Sequence, residues 1–405
     1  MDICRINFIT FNYQKSQFAL AYDNGINIYD TKTFALLSKS AEIGDIATLA
    51  LLYETNIAIF TGSEKNDDYP PTKIVLYDNK KKSEIYSSIV KLPVIAIKNV
   101  NKIIFVETSK EISVFKYEND DEVFFVNKIE ITFDVHFPFI VFQNEINSKN
   151  DEEYIIITQG DKYYLNVYIV NISTYKFSLK NKIKIPYDYI QSIFEDNQSK
   201  CFYVCDYRGE LISEIDLDSI NEVKREFYRG NSYAKISSVM KIKNAYLAVC
   251  NCNKTIHIYS LENKKTANNI YSYMSSFIVN HGSNLYYSYI KINIDDIITK
   301  MKNPFMYFGD KMGCLLTYDI KDEVLKVICY NGIGLKIKIN FLKSKYKLIS
   351  NHEWICNDTP KTNNDNEFEV IEPLRTISLN DSIFGENQPS LSDSTKEFVS
   401  INNHF

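Results

Sequence analysis

The stretch Asp23-Asn-Gly-Ile-Asn-Ile-Tyr-Asp30 is a turn followed by a strand. With Phe18-Ala-Leu-Ala-Tyr22 before it, it forms a hairpin signal. Asn-Gly supplies the positive φ angles that a tight turn needs, and the flanking runs are rich in residues that suit a pleated surface. A third run, Ile6-Asn-Phe-Ile-Thr, precedes the pair. The same unit returns as Ile46-Ala-Thr-Leu-Ala-Leu-Leu, Asn56-Ile-Ala-Ile-Phe60 and Lys73-Ile-Val-Leu-Tyr-Asp78. It returns again as Val94-Ile-Ala-Ile-Lys, Lys102-Ile-Ile-Phe-Val-Glu and Glu111-Ile-Ser-Val-Phe115.

A fourth unit follows over Phe139-Ile-Val-Phe, Tyr154-Ile-Ile-Ile-Thr and Leu165-Asn-Val-Tyr-Ile-Val. The fifth and sixth flank Arg229, and the seventh is read over Leu285–Ile290, Phe305–Gly309 and Cys314–Asp319. A spacing of roughly 40–45 residues is that of propeller blades. Tyr29-Asp30, Tyr77-Asp78 and Tyr318-Asp319 stand where a WD-type blade has Trp-Asp. The expected fold is all-β, a seven-bladed β-propeller of WD40-like type over residues 1–356. Within it, Leu335–Ser350 is either an extra strand or a packing strap. Residues 357–405, rich in Asn, Asp, Ser and Thr, read as a mostly disordered tail.

Composition agrees with strands. Tyr (30) and Phe (25) are abundant, while Gly (12) and Pro (9) are few. A net charge of −5 argues against nucleic acid as a partner, so an anionic ligand must find a local basic patch. The eight cysteines lack the CxxC spacing of a zinc knuckle and read as reduced core residues. Cys201/Cys205 and Cys250/Cys252 have same-face strand spacing. No apolar run reaches the ~20 residues of a spanning helix, and the N-terminus lacks a signal-peptide core, so a cytoplasmic protein with peripheral membrane contact is expected. Nothing marks an enzyme: there is no nucleophile elbow, metal-ligand cluster or phosphate-cradling glycine loop. No cofactor is expected.

Phe227-Tyr-Arg-Gly230 holds the one arginine with a phosphate-binding setting. Downstream, Thr255-Ile-His-Ile-Tyr259 alternates so that Thr255, His257 and Tyr259 share a face. A guanidinium fork, a hydroxyl and an imidazole make an anion pocket. The alternative is an arginine paired with a local carboxylate. Between Leu261 and Leu285, an apolar-aromatic segment runs from Ile270 to Val279, after Lys264-Lys265. It either folds back on the propeller or enters a membrane interface, where aromatic rings and flanking lysines are favoured.

These residues together resemble the PROPPIN family, seven-bladed propellers that bind phosphoinositides and serve autophagy and endosomal traffic. The resemblance covers residues 4–330. It rests on the first-unit run Ile6 to Asp30, on Thr55-Asn-Ile-Ala-Ile-Phe-Thr-Gly62 with Tyr69-Pro-Pro-Thr-Lys-Ile-Val-Leu-Tyr-Asp78, and on Phe227-Tyr-Arg-Gly230 against the family's Phe/Leu-Arg-Arg-Gly. It implies two lipid pockets, one for each arginine, and an inserting loop at Ile270, Tyr271, Tyr273, Met274, Phe277, Ile278 and Val279. Here the first arginine is Tyr228, and Asp206, Glu210 and Ser213 replace its serine, threonine and arginine helpers. One pocket therefore remains in expectation, on Arg229, Thr255 and His257, with Asn251 and Lys254. Protonation of His257 below about 6.5 would strengthen it. The resemblance further implies lipids phosphorylated at the inositol 3-position or 3- and 5-positions. It also implies autophagy or membrane-traffic proteins as partners at blades two and three, where Ser63–Thr72 is the candidate contact. A protein-interaction propeller that has lost lipid binding is the competing reading.

Overall fold

The computed structural model describes residues 6–41, 43–53, 55–119, 122–131, 138–143, 153–196, 199–219, 223–262, 285–288, 290–300, 313–353 and 361–363. The hairpin around Gly25 forms as expected, and three antiparallel pairings join β1 (Ile6–Phe11), β2 (Gln17–Tyr22), β3 (Gly25–Asp30) and β4 (Leu36–Ala41) into one sheet. Blade two is β5 (Ile46–Leu51), β6 (Ile57–Gly62), β7 (Lys73–Asp78) and β8 (Ser83–Ile89). Blade three is β9 (Val94–Val100), β10 (Ile103–Thr108), β11 (Glu111–Asn119) and β12 (Glu122–Glu130). Blade four is β13 (Phe139–Gln143), β14 (Glu153–Gln159), β15 (Tyr164–Asn171) and β16 (Lys176–Lys184).

Blade five holds β17 (Ile190–Asp196), β18 (Cys201–Asp206), β19 (Leu211–Asp216) and β20 (Val223–Tyr228). Blade six begins with β21 (Ile236–Ile242), β22 (Tyr246–Asn251) and β23 (Thr255–Ser260). The chain then departs from the seventh unit read above. A short β24 (Leu285–Tyr287) returns to blade five and pairs parallel to β20. Next, β25 (Ile290–Asn293) completes blade six against β23. A helix, α1 (Ile294–Lys300), follows, with Asn293 Oδ1 accepting from Asp295 N at 3.1 Å and acids in the first turn. Blade seven is β26 (Cys314–Asp319), β27 (Val324–Cys329), β28 (Ile333–Asn340) and β29 (Lys345–Glu353), edged by β30 (Lys361–Asn363). Leu335–Ser350 is thus the outer half of blade seven, while Phe305–Gly309 lies outside the described residues.

The chain is a seven-bladed β-propeller. The first strand of every blade faces a central cavity of about 380 Å³, which a Lys98–Glu195 ion pair at 3.0 Å crosses. Both faces of each sheet are buried against neighbours. The described apolar core divides accordingly into clusters, each spanning one pair of adjacent blades. Each third strand ends on a polar residue. Asp30, Asp78, Asn171, Asp216 and Asn340 turn a side-chain oxygen to backbone N–H groups of the following turn. Asp319, in contrast, ends a first strand, so Tyr318-Asp319 is not the counterpart of Tyr29-Asp30. Cys201, Cys205, Cys250, Cys314 and Cys329 are buried thiols, but Cys252 sits in the turn after β22 rather than on its face.

The seam between blades seven and one is distinctive. Its cluster draws Ile6, Ile9, Phe18, Leu20 and Phe34 from blade one but only Ile328 as a fully buried partner from blade seven. Phe34 fills the remainder: it meets Phe18 edge-on at 5.8 Å and His352 edge-on at 4.9 Å, with the Lys336 ammonium 5.0 Å over its ring. Phe34→Ala should therefore lower stability by about 3–5 kcal/mol, the range for a buried phenylalanine, and speed amide exchange in β1 and β27 together. A melting temperature within a degree or two of wild type would show that the seam is held elsewhere.

Candidate functional site

Arg229 follows directly after β20, where β20 ends at Tyr228. Its backbone N–H bonds to Glu210 O at 2.8 Å, which fixes the residue over the β18–β19 turn of blade five. The side chain is only 8% exposed. Its Nε–H donates to Gly209 O, one Nη2–H to Ser232 O, and one Nη1–H to Ser232 Oγ at 3.4 Å. Two of its five donors remain, one on each Nη. The guanidinium is thus clamped by backbone carbonyls into a fixed orientation between blades five and six.

On blade six, β23 turns Thr255, His257 and Tyr259 toward blade five, while Ile256 and Ile258 pack toward blade seven. Tyr259 donates its hydroxyl to Tyr228 O at 3.1 Å, which ties the two blades together just before Arg229. His257 is buried beside it, stacked on Tyr259 at 6.5 Å, and its Nδ1 has no hydrogen-bond partner. Burial, then the charges of Lys291 and Arg229, hold the His257 imidazole down at about 3. The expected gain from protonation near pH 6.5 is therefore corrected: His257 is neutral through the physiological range.

Lys291 is the residue that sequence reading missed. It lies on β25 directly opposite His257, on the same face, and its side chain is exposed. Arg229, His257 and Lys291 thus come together where blades five and six meet, while the Thr255 hydroxyl donates to Asn253 O at 3.4 Å in the turn before β23. Asn251 and Lys254 do not join them. Asn251 is buried, and its Oδ1 accepts from the N–H groups of Asn253 at 2.9 Å and Thr255 at 3.3 Å, building the turn instead. Lys254 pairs with Asp295 at 3.2 Å. The residues Ile270, Tyr271, Tyr273, Met274, Phe277, Ile278 and Val279 lie outside the described residues.

The opposite side of Arg229 is acidic. Asp206 accepts backbone N–H groups of Glu210 at 2.7 Å and Leu211 at 2.9 Å, and burial raises its carboxyl above the ordinary value. Burial likewise raises Glu210, which pairs with Arg208 Nε at 2.9 Å. An arginine is present at this turn after all, although Glu210 balances it. Ser213 is buried inside the blade. At the candidate partner surface, Ser63–Thr72 is pinned rather than open. Buried Asn66 donates to Ile43 O at 2.9 Å and Asp45 O at 3.1 Å and accepts from Tyr69 N at 3.1 Å.

No protein-family model matches the chain. Solved structures do resemble it. Kluyveromyces lactis Hsv2 aligns at a TM-score of 0.63 and 18% identity, over 86% of this chain and 99% of that one. The form of that protein with a complete loop 6CD gives 0.63 and 17% over the same shares. KlAtg21, in complex with the coiled coil of AgAtg16, gives 0.60 and 14%, again over 86% and 99%. Hsv2 and Atg21 are PROPPIN-family seven-bladed propellers, the family that the sequence itself resembles. At these identities the likeness shows the fold.

The buried imidazole predicts acid sensitivity. Below about pH 6.5 the unfolded chain takes up a proton at His257 that the folded chain refuses, so stability falls as pH falls toward 3. Between pH 7 and pH 5 this amounts to about 2 kcal/mol. His352, lowered to about 4 by burial and Lys336, adds in the same direction. Urea unfolding of His257→Gln should lose less stability over this interval than wild type. Equal losses would contradict the assignment.

Proposed function

We propose that this protein is a peripheral membrane adaptor that grips one phosphoinositide headgroup where blades five and six meet. The observation that carries it is the convergence of Arg229, His257 and Lys291 on one face, with Arg229 held by carbonyls and His257 Nδ1 unpartnered. Arg229 supplies two free N–H donors and Lys291 an ammonium, and Thr255, whose hydroxyl donates to Asn253 O at 3.4 Å, begins the same strand as His257. Neutral His257 supplies an N–H, the donor count that a phosphate monoester calls for. The lipid class, 3-phosphorylated or 3,5-phosphorylated inositol, follows from the family resemblance. One pocket is a weak anchor, and stable attachment takes two signals. The segment Ile270–Val279 is the proposed second one. The setting is autophagic or endosomal membrane traffic, in line with the KlAtg21 complex, and the Asn66-pinned loop of blade two offers a fixed surface for a protein partner.

A second reading has its own observation. Three of the Arg229 donors are already used, and Asp206 and Glu210 lie near its charge, which suits a propeller scaffold without lipid binding.

Liposome co-sedimentation separates the two. Wild type should bind vesicles that carry 3-phosphorylated inositol lipid and spare those without it. Lys291→Ala, an exposed change that leaves the core intact, should weaken this about ten-fold, the value of one charge-assisted hydrogen bond. Arg229→Ala should abolish it. Wild type that ignores the lipid would leave the scaffold reading.

A further inference from the structure

Blades six and seven meet across three thiols. Cys250 is the penultimate residue of β22, Cys314 opens β26 and Cys329 ends β27, and all three are buried in one apolar cluster. Cys314 lies directly opposite Cys329 in the antiparallel pair, with the two sulfurs 2.9 Å apart. The backbone of Cys314 is bonded elsewhere. Its N–H donates to Ser237 Oγ at 3.2 Å, and its carbonyl accepts from the same hydroxyl at 2.9 Å. One residue along each strand, Tyr330 N donates to Gly313 O at 3.4 Å. Cys314 and Cys329 therefore form the non-hydrogen-bonded kind of cross-strand pair, with Cα atoms about 4.5 Å apart and side chains at their closest approach. That separation lies within the span of a disulfide.

Cys250 is the third member. Hydrogen bonding from Cys314, with Ser237 adding to it, holds the Cys250 thiol below its ordinary value despite burial. At Cys201 and Cys205 burial wins, and the thiols are raised. Since the thiolate is the reactive form, Cys250 is the sulfur of the three placed to react first. Ser237 also gives the cluster a route to small molecules. It lines the central cavity together with Ser238, Leu315 and Leu316, and so connects that cavity to Cys250 and Cys314.

We propose that Cys250, Cys314 and Cys329 are a site of reversible oxidation by hydroperoxides, which ends in a Cys314–Cys329 disulfide. The Cys250 sulfur attacks the peroxide O–O bond and becomes a sulfenic acid. Its proton passes to the departing oxygen, which leaves as water or an alcohol. Cys314 sulfur then attacks Cys250 sulfur, and the hydroxyl leaves as water with the Cys314 proton. Cys329 next attacks Cys314, and Cys250 departs as a thiol with the Cys329 proton. In sum, two thiols are oxidised and one hydroperoxide is reduced. The bond ties β26 to β27 next to Ile328, the fully buried residue that blade seven brings to the closing seam, so oxidation stiffens the hairpin on which closure depends. The inference asks nothing of the lipid reading.

The test uses the full chain, reduced and then exposed to hydrogen peroxide. Every sample carries Cys252→Ser, because Cys252 is the one described cysteine that is not buried. Free thiols are blocked with N-ethylmaleimide, and linked peptides are mapped by mass spectrometry without reductant. A Cys314–Cys329 link should appear, raise the melting temperature, and vanish with dithiothreitol. Cys250→Ser should slow its formation several-fold. Cys329→Ser should instead trap a Cys250–Cys314 link between the blades, a readout that does not need Cys250→Ser to fold. A Cys314–Cys329 link formed at the wild-type rate in Cys250→Ser would overturn the proposal. So would Cys314 and Cys329 that stay free in the folded chain and link only after urea.

Discussion

Phe34 closes the ring. A propeller blade has no free face, so every seam must be filled, and this one joins the two blades farthest apart in sequence. On this seam blade seven offers one fully buried apolar residue, Ile328, together with Lys336 and His352. A planar ring is the group that can pack on Phe18 and still receive a cation and an imidazole edge. Phe34 does so from a left-handed backbone position, φ 67°, which is costly for an aromatic residue and persists only because the surroundings hold it. No strand of blade one pairs with a strand of blade seven, so among the described residues closure rests on side chains rather than on a shared strand.

The same need to fill a seam builds the candidate site. Blades five and six are joined by the Tyr259 hydroxyl on Tyr228 O and by Phe227 packed on Tyr259 and Tyr286. Parallel pairing of β24 then covers the outer edge of β20. Arg229 is left with its stem buried and its fork clamped by Gly209 and Ser232. Such a clamp limits the rotamer entropy that an arginine loses on binding, at the expense of donors. The Asp206 and Glu210 side of the fork is balanced by backbone N–H groups and Arg208, which among the described residues leaves the Lys291 side, next to neutral His257, as the more positive one.

Much of this was legible in the sequence. Gly25, which has φ 151° and no room for a Cβ against Ser40 O, set the first hairpin, and alternation set the strands through blade six. The face shared by Thr255, His257 and Tyr259 was readable from period two alone. What escaped was long-range. Leu285–Ile290 reads as one apolar run, yet it serves two blades, because strand edges and not local pattern choose the partner. That misreading hid Lys291, whose alternation in Ile290-Lys-Ile-Asn293 marks an exposed face only once β25 is set beside β23. The Tyr-Asp repeat was followed to Asp319, although the recurring feature is an Asp or Asn at the end of the third strand, which led to Asn340 instead. His257 looked like a pH switch because burial cannot be seen in a sequence.

The central claim is one headgroup site, at the meeting of blades five and six. Isothermal titration of the soluble chain with inositol 1,3-bisphosphate tests it without a membrane. The account predicts a single site per chain, undiminished at pH 6 relative to pH 7.5 as far as His257 is concerned, and absent in Lys291→Ala combined with Arg229→Ala. Two sites per chain, or binding that survives that pair of substitutions, would contradict it.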